Sequence, residues 1–480
     1  MLVPQGVVKH LDVTTDGKAF EYKQAHLLSI LTRHIQSSYP SARAFYFKDI
    51  SSAYLKQHYT TDYLKGVITP LLDSELIEVD GSYSTELHYP KSYKLSHTLL
   101  KEVIDGNTTV IYITSESLIK NIEKWRRTTL SLQVNKHSFI EAEAIMLLHI
   151  NIDRSALEQL YEQRIIDIKT SDNPNKKLAI TNATRHKEDI LQLTEAKDLL
   201  DARVRYISGR VYHPFVNCPK EFRKAVVDDE GQPFVEVDLR SSQAVFLCKV
   251  IAVALKHRLI TFEFGKQATA TDNLIEQIIP LLDEPINVLE EGVYPSDFRA
   301  FVSAVFFDDI YEDANPENIS QNAYIQVGDE VYLTHSSARV SGSETLIGEQ
   351  RDDAKKLFFK EIFFNYFNKE NYGVKGQLSI SSEYLEGFAK TYYTVYEFCR
   401  ICALQSKEGK KKSRDLALLL QQTESKFFHE LLPAVLKDIE PFNYFVVHDA
   451  LYIPQKHQEA VISACDELAL EFFGAAPKFR

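Results

Sequence analysis

The stretch Ser208–Gln243, SGRVYHPFVNCPKEFRKAVVDDEGQPFVEVDLRSSQ, lies near the middle of the chain and decides how the fold is interpreted. Its run Phe234–Asp238 (FVEVD) combines β-branched and acidic residues and predicts a strand that ends on a carboxylate. A second apolar stretch, Tyr444–Pro454 (YFVVHDALYIP), predicts two strands with His448 and Asp449 at the turn. Two strands that each present an aspartate are typical of a metal site that acts on phosphate groups.

The composition is that of an ordinary soluble globular protein with two or three domains. The chain has 480 residues, 44% hydrophobic and 25% charged, so it can bury a large core. Its net charge of −12 excludes a polycation and confines any nucleic-acid contact to local basic patches. The N-terminus lacks a signal-peptide pattern, and no apolar run reaches the ~18 residues of a membrane span. We therefore expect a cytoplasmic protein with no membrane partner.

The five cysteines support the same compartment. Their number is odd, and only Cys399 and Cys402 form a CxxC pair. A lone pair in a helix-like stretch is usually structural, and free thiols are typical of a reducing environment. The cysteines therefore predict no zinc site.

Residues 1–98 are predicted to form three helices followed by a β-hairpin. Apolar spacing predicts a first helix over Ala25–Gln36, and capping residues begin two more near Asp49 and Asp62. The order resembles a winged helix–turn–helix, whose third helix enters a DNA major groove while the hairpin touches the backbone. Pro70 interrupts the third helix. Protein contacts or autoinhibition are the alternative use of such a module.

Residues 99–205 are predicted to be mostly helical. The predicted helices are Ser115–Arg127, Ser138–Ile150, Ala156–Ile168 and Arg185–Tyr206, with a loop over Ser171–Lys177. Trp125, followed by Arg126 and Arg127, could stack on or grip a nucleic-acid strand. A tryptophan that anchors its helix beside solvated arginines is the commoner arrangement, so both interpretations stand.

Two later helices carry candidate binding residues. The predicted helix Thr345–Lys369 repeats a cation or a ring about every four residues. The residues on this face are Arg351, Lys355, Phe359 and Phe363. Cations for phosphates and rings for a base or sugar suit a nucleoside triphosphate, and a phenylalanine-rich core face is the alternative. The cluster Lys410–Arg414, before the predicted helix Asp415–Leu432, suits a nucleic-acid backbone or is a solvated loop.

From Gly209-Arg210 onwards, the strand with Asp238, the Arg/Lys/Phe helix, the Gln helix and the His-Asp hairpin follow one another along the chain. This order resembles the core of family A DNA polymerases and of their single-subunit RNA polymerase relatives. The resemblance covers roughly residues 208–480. It implies an α+β fold, with a right-hand polymerase palm and helical fingers over residues 206–480. The winged-helix-like module (1–98) and a thumb-like or linker region (99–205) would precede that core. The N-terminal half shows no Asp-x-Glu exonuclease pattern.

The first two family motifs match with one departure. Gly209-Arg210 stands where the family has a Gly-Arg loop, which implies that Arg210 touches the minor groove at the primer end. Asp238 matches the metal-binding residue of the next motif. Gln243 replaces the glutamate that screens out the ribose 2′-hydroxyl, and because the two side chains are nearly equal in size, a steric gate is retained.

The remaining motifs match with further departures. Arg351, Lys355 and Phe359 match the fingers helix, while Phe363-Phe364 replaces its Tyr-Gly. The resemblance assigns Gln421 to minor-groove reading, and it assigns Lys411 and Arg414 to the nucleic-acid backbone. His448-Asp449 matches the closing motif, with Ala450 in place of its glutamate.

The resemblance implies a two-metal mechanism. Asp238 and Asp449 would hold two Mg²⁺ ions, with Mn²⁺ as a substitute, to activate a 3′-hydroxyl and stabilise the leaving pyrophosphate. Arg351 and Lys355 would neutralise the triphosphate and protonate the leaving group, and His448 would position the primer end. The expected partners are a DNA template-primer and nucleoside triphosphates.

The expected function is therefore DNA-directed DNA synthesis in the replication of a phage, plasmid or mobile element. Gln243 favours deoxyribonucleotides because it preserves bulk at the gate. Three alternatives stand beside it. A primase-like enzyme would make RNA or start without a primer, and a DNA-binding replication initiator would carry a decayed polymerase scaffold, as Phe363-Phe364 and Ala450 suggest. An acidic protein-binding scaffold would show no salt-dependent affinity for nucleic acid.

Overall fold

The computed structural model describes most of the chain, with gaps. The described residues are 1–11, 19–38, 47–59, 62–80, 91–111, 115–172, 175–195, 202–207, 209–262, 268–308, 310, 324–327, 330–333, 383–405, 414–439 and 441–479. They form a mixed helix and sheet structure that divides into two compact units. Unit 1 comprises Met1–Arg205 and His213–Gly231, and unit 2 comprises Tyr206–Tyr212 and Gln232–Arg480.

The first part of the chain is mainly helical with short strands. Its elements are β1 (Leu2–Pro4), α1 (Ala19–Ser38), β2 (Lys48–Asp49), α2 (Ser52–Tyr59), α3 (Thr69–Asp73), β3 (Ile77–Asp80), β4 (Ser92–Leu95), α4 (His97–Ile104), β5 (Thr108–Val110), α5 (Glu116–Lys136), α6 (Phe139–Leu148), β6 (Asn151–Ile152), α7 (Arg154–Thr170) and α8 (Lys176–Leu193). The predicted order of three helical segments followed by an antiparallel strand pair is confirmed. Strand β4 lies between β2 and β3, and the apolar faces of these elements share one core.

Pro70 is accommodated by a local widening of the third helix. A π-helical turn, Leu64–Ile68, precedes α3. Proline has no N–H and cannot bond the carbonyl four residues earlier, which is that of Gly66. The side-chain amide of Gln24 donates to that carbonyl at 3.0 Å. The predicted interruption is therefore resolved by a side chain from α1.

One predicted helix is wrong at both ends. The sequence placed a helix over Arg185–Tyr206, whereas α8 begins at Lys176 and ends at Leu193. After the helix, Arg203 donates to Asp189 on α8 at 2.6 Å. This ion pair brings Arg203 back to α8, so the segment that contains it does not continue the helix. The predicted loop over Ser171–Lys177 is correspondingly shorter.

The remaining elements belong mostly to unit 2. They are β7 (Arg205–Ile207), β8 (Arg210–Tyr212), α9 (Pro214–Asn217), β9 (Val226–Val227), β10 (Phe234–Asp238), α10 (Ser242–Lys256), β11 (Ile260–Thr261), β12 (Thr269–Ala270), α11 (Leu274–Ile278), α12 (Ser296–Phe306), β13 (Tyr324–Val327), β14 (Glu330–Leu333), α13 (Glu383–Thr391), α14 (Tyr393–Gln405), α15 (Arg414–Lys426), α16 (Leu432–Leu436), β15 (Phe445–Val447), β16 (Ala450–Pro454) and α17 (Gln458–Phe473). The segment His213–Gly231, which contains α9 and β9, packs within unit 1.

Helix α10 is the centre of the core of unit 2. Every residue from 244 to 254 is buried, because the helix is apolar on all sides. Lys249 is the charged residue in this apolar run, and it too is fully buried. Its ammonium donates to the carbonyls of Glu284, at 2.5 Å, and Phe472, at 2.8 Å. It also lies 4.1 Å from the centre of the Phe472 ring. The lysine thus links three segments of the core.

Lys249 makes the stability of unit 2 depend on pH. Burial lowers its pKa from 10.5 to about 7, with Glu284 opposing the shift. Between these values the unfolded chain binds a proton that the folded chain releases, so stability rises with pH. We expect the denaturant midpoint of the protein to rise from pH 7 to pH 10 and this rise to be much smaller in Lys249→Met. Lys437→Met, at an exposed position of the same unit, should keep it. An unchanged slope in Lys249→Met contradicts the assignment.

Candidate active site

A three-stranded antiparallel sheet in unit 2 carries the two candidate aspartates. The strand order is β10–β16–β15, and Asp238 at the end of β10 pairs with Ala450 at the start of β16. Val447 also pairs with Ala450, so His448 and Asp449 form a two-residue turn. The strand and the hairpin predicted from the sequence are confirmed. Both aspartates therefore lie at the same end of one sheet.

Local sequence explains the turn between β15 and β16. All residues of the two strands are buried, which fixes the hairpin against the core. Two-residue hairpin turns require a positive φ at their first central residue, and His448 has φ 58°. Histidine is among the residues that tolerate this conformation. The ring of His448 lies 6.1 Å from that of Tyr212, edge to face.

A serine that the sequence did not single out holds Asp449. Ser242 begins α10 and is buried, and its hydroxyl donates to Asp449 Oδ2 at 2.5 Å. The backbone N–H of Leu239 donates to the Asp449 carbonyl oxygen at 3.0 Å. A hydroxyl that donates to a carboxylate is a strong, charge-assisted hydrogen bond. The orientation of Asp449 is thus fixed from the end of β10 and the start of α10.

The second residue missed by the sequence is Glu424, at the centre of the site. It is buried on α15 and accepts from Arg210 Nε at 2.9 Å and from Arg210 Nη2 at 3.0 Å. The amide of Gln243 donates to the same carboxylate at 2.9 Å. Burial raises the pKa of Glu424 to about 7 against the opposing charge of Arg210, and the charge of Asp449 raises it further. In the sequence, the one feature that could have indicated this role is the position of an acidic residue within a largely apolar helix.

The Glu424 network joins two of the predicted motif residues and lies beside a third. Arg210 and Gln243 both bind Glu424, and Gln421 lies one helical turn before it on α15. Gly209, next to Arg210, packs on this turn, and a Cβ built on it would lie 3.1 Å from Gln421 Cβ. The predicted contacts of Arg210 and Gln421 with DNA stay predictions.

Gly209 can be replaced only at a cost. Its φ of +82° disfavours any side chain, and a Cβ there would lie 3.0 Å from the backbone nitrogen of Gln422. We expect Gly209→Ala to lower the free energy of unfolding by about 2 kcal/mol. Gly292→Ala is a matched control, because Gly292 has φ +74° and open space around it. This control should cost about 1 kcal/mol, since it adds only the backbone strain. Equal losses in denaturant titrations contradict the close packing.

Residues near the C-terminus complete this end of the sheet. The Lys478 carbonyl accepts from the backbone N–H of Arg240 at 3.1 Å, and Phe479 bridges to Leu239. The Phe479 ring stacks on that of Phe427, with centroids 6.4 Å apart. The turn after Asp238 is therefore held on both sides.

The donor set at the sheet end fits Mg²⁺. Asp238 and Asp449 offer the hard oxygen ligands that this ion prefers, and both are half-buried. Within the described ranges, no group of three or more His, Cys, Asp or Glu side chains could hold a metal ion. Mg²⁺ needs no such group, because it takes most ligands from water and phosphate. The bond from Ser242 gives one carboxylate the outer-shell support typical of metal ligands.

The other predicted site residues cannot be placed. Arg351, Lys355, Phe359, Phe363 and Lys411 lie outside the described residues, as does the whole predicted helix 345–369. Arg414 begins α15, and its side chain is not described. Their roles in binding triphosphate and nucleic acid stay predictions.

Comparisons with known proteins find matches among solved structures. No family model and no curated protein matches the chain. One similar structure is the POL domain of Pol1 from M. smegmatis, which was solved in complex with DNA primer-template and dNTP. The similarity covers 80% of this chain and 74% of the POL domain chain. The identity is 12% and the TM-score is 0.39. At these values the case for a polymerase depends on the residues of the site. In the described parts of the chain, every helix is too short or too polar to cross a bilayer.

Proposed function

We propose that unit 2 is the core of a template-directed nucleotidyltransferase, a DNA polymerase of the family A type. The observation that supports this proposal is the sheet β10–β16–β15, which brings Asp238 and Asp449 to one end. These residues are far apart in the sequence, and each ends or follows a strand of the sheet. Paired carboxylates of this kind would hold the two Mg²⁺ ions of a phosphoryl-transfer site.

The chain's own residues have distinct tasks in this proposal. When bound, Mg²⁺ supplies charge stabilisation for the attacking 3′-oxygen and the leaving pyrophosphate. Ser242 fixes the Asp449 carboxylate in one orientation, so little reorganisation accompanies the reaction. His448, on the turn beside Asp449, would position the primer end. Arg351 and Lys355 would bind the triphosphate, and Phe359 would pack against the incoming nucleotide.

The bond between Gln243 and Glu424 supports a preference for deoxyribonucleotides. A free glutamine can rotate away from a 2′-hydroxyl, whereas this one is held by a buried carboxylate. A fixed side chain of glutamate size would exclude the extra oxygen by contact. The winged-helix-like order of α1–β4 supports, in addition, a proposal that unit 1 binds DNA. Such a module on a polymerase suits the replication of a phage, plasmid or mobile element.

Nucleotide incorporation by the purified full chain tests the proposal. A labelled primer on a DNA template is incubated with dNTPs or with NTPs, in Mg²⁺ or in Mn²⁺, and a template without primer is included. We expect primer-dependent extension with dNTPs. Extension with NTPs, or without a primer, would instead indicate the RNA-synthesising, primase-like alternative. No incorporation under any of these conditions overturns the enzymatic proposal.

A DNA-binding replication initiator is the second candidate. Ala450, buried beside Asp449, supports it, because the family has a glutamate at that place. The order of helices and strands in α1–β4 supports it equally. The initiator would bind duplex DNA with a strong dependence on salt and incorporate no nucleotide. Binding and incorporation measured on the same preparation separate the two candidates.

A further inference from the structure

A cavity of about 830 Å³ lies within unit 1. Three helices each line it with one face. Helix α1 contributes His26, Ser29, Ile30 and Arg33, and α5 contributes Ile122, Trp125, Arg126, Thr129 and Gln133. Both sets recur every three or four residues, which is the spacing of a single helical face. Helix α2 adds Tyr54 and His58, and the segment 203–205 closes the cavity.

The walls of the cavity are strongly cationic. The described residues that line it include five cationic side chains and one carboxylate, in a chain whose net charge is −12. The cationic residues are Arg33, Lys48, Arg126, Arg203 and Arg205. The carboxylate, Asp49, accepts a hydrogen bond from Ser92 at 2.5 Å. Arg203 already pairs with Asp189 at 2.6 Å, and an anionic ligand would reduce the repulsion among the remaining positive charges.

The pKa values within this cluster reflect the same positive field. Burial, followed by the charges of Arg126, Arg203 and Arg33, lowers the pKa of Arg205. Burial, and then His58, Arg33 and other cations, lower the pKa of His26 to about 3. The histidine is therefore neutral at physiological pH, and the positive charge comes from the arginines and the lysine.

Aromatic rings form the wall beside the arginines. The Tyr54 and His58 rings stack with centroids 3.9 Å apart, and the Trp125 ring meets Tyr54 edge to face at 5.1 Å. Trp125 is half-buried, so part of its ring borders the cavity. Arg126 follows it on α5 and is exposed. A flat ring next to a guanidinium is the combination that binds a base and its phosphate.

We propose that this cavity binds a nucleotide through its 5′ phosphates, with the base against Trp125. The volume suits a ligand of this size, because pockets for small molecules commonly measure ~300–1,000 Å³. The planar guanidinium group of arginine can donate two hydrogen bonds to phosphate oxygens. A neutral aromatic wall can stack on any of the four bases. A free nucleotide and the 5′-phosphorylated end of a single strand share this chemistry. The proposal does not depend on polymerase activity in unit 2.

Intrinsic fluorescence tests the proposal directly, because Trp125 is the only tryptophan in the chain. The full-length protein is titrated in EDTA, which suppresses metal-dependent binding at Asp238 and Asp449. The ligands are dTTP, inorganic tripolyphosphate, and oligo(dT) with a 5′-phosphate or a 5′-hydroxyl. We expect saturable quenching by dTTP or by the 5′-phosphorylated strand, weakened by salt. Stronger quenching by dTTP identifies a free nucleotide, and stronger quenching by the strand identifies a 5′ end.

Neighbouring arginines on α5 provide matched variants. Arg126 lines the cavity, whereas Arg127 does not and is exposed. Arg126→Gln and Arg205→Gln should each weaken binding about tenfold, the effect of one charge-assisted hydrogen bond. Arg127→Gln should bind as the unchanged protein does. Far-ultraviolet circular dichroism confirms that each variant is folded.

Three results would overturn the proposal. The first is the absence of quenching by every ligand, although the protein is folded. The second is equal binding by Arg126→Gln, Arg127→Gln and the unchanged protein. The third depends on which ligand binds more tightly. If it is dTTP, equal affinity for tripolyphosphate removes the base from recognition, and if it is the strand, equal affinity without the 5′-phosphate removes the phosphate.

Discussion

Asp449→Asn is expected to reduce nucleotide incorporation by on the order of 10³-fold while leaving the fold intact. Asparagine keeps the shape of the side chain and can still accept from Ser242, whose hydroxyl lies 2.5 Å away. It removes the negative charge that would hold Mg²⁺ at the end of the sheet. Primer extension at saturating metal, with circular dichroism on the same sample, measures both effects. Asp238→Asn should behave in the same way.

Glu236 provides the matched control for this loss. It lies on β10 two residues before Asp238, so it points to the same face of the sheet but lies further from the end. Glu236→Gln removes one charge from the same strand and should leave incorporation within about twofold. A folded Asp449→Asn protein that incorporates nucleotides at the normal rate contradicts the proposed role of the aspartates.

Arg210→Met is expected to destabilise unit 2 more than the removal of an exposed charge does. The arginine makes two hydrogen bonds to Glu424, which is buried. Its removal leaves a buried carboxylate without its cation, which typically costs about 3 kcal/mol. Lys256→Met breaks a comparably short ion pair with Glu284 at the surface, and should cost less than about 1 kcal/mol. Denaturant titrations of both variants at pH 8 measure the difference.

The cost of Arg210→Met should depend on pH in a defined direction. The pKa of Glu424 is raised from 4.5 to about 7, chiefly by burial. Its stabilising contribution is therefore complete below pH 4.5 and is lost as the pH rises through 7. Without Arg210 the pKa of Glu424 rises further. The variant should therefore lose about 1 kcal/mol of unfolding free energy near pH 5, where Glu424 is protonated, and about 3 kcal/mol at pH 8. The double variant Arg210→Met, Glu424→Gln should lose this dependence, and a pH-independent cost in the single variant contradicts the ionic network.

The sequence predicted the parts of the site that have local signals. The runs FVEVD and YFVVHDALYIP combine β-branched residues with a turn, and the structure forms strands and a hairpin at those positions. Two-residue turns and buried strands depend on neighbours in the chain, so a short window contains the information. The three helical segments and the strand pair of residues 1–98 could be predicted for the same reason, because their signals are also local in the sequence.

The partners that hold the aspartates and arginine have no local signal. Ser242 and Asp449 are 207 residues apart, and Arg210 and Glu424 are 214 apart. A serine at the start of a helix is ordinary capping chemistry, and a glutamate in a helix is usually solvated. Only the packing of α10 and α15 beside the sheet gives these two residues their role. The helix predicted over Arg185–Tyr206 is wrong for a similar reason, since the contact of Arg203 with Asp189 is formed only in the folded chain.

The pairing of β10 with β16 also has a consequence for how the protein is made. Closing so long a loop is costly in entropy, and contacts between distant segments form slowly. Helix α10 and strand β10 leave the ribosome long before the hairpin that completes the sheet. Because domains fold as units during synthesis, the two aspartates meet only when the last part of unit 2 has been translated. A nascent chain would therefore carry only one carboxylate of the pair until β15 and β16 have been made.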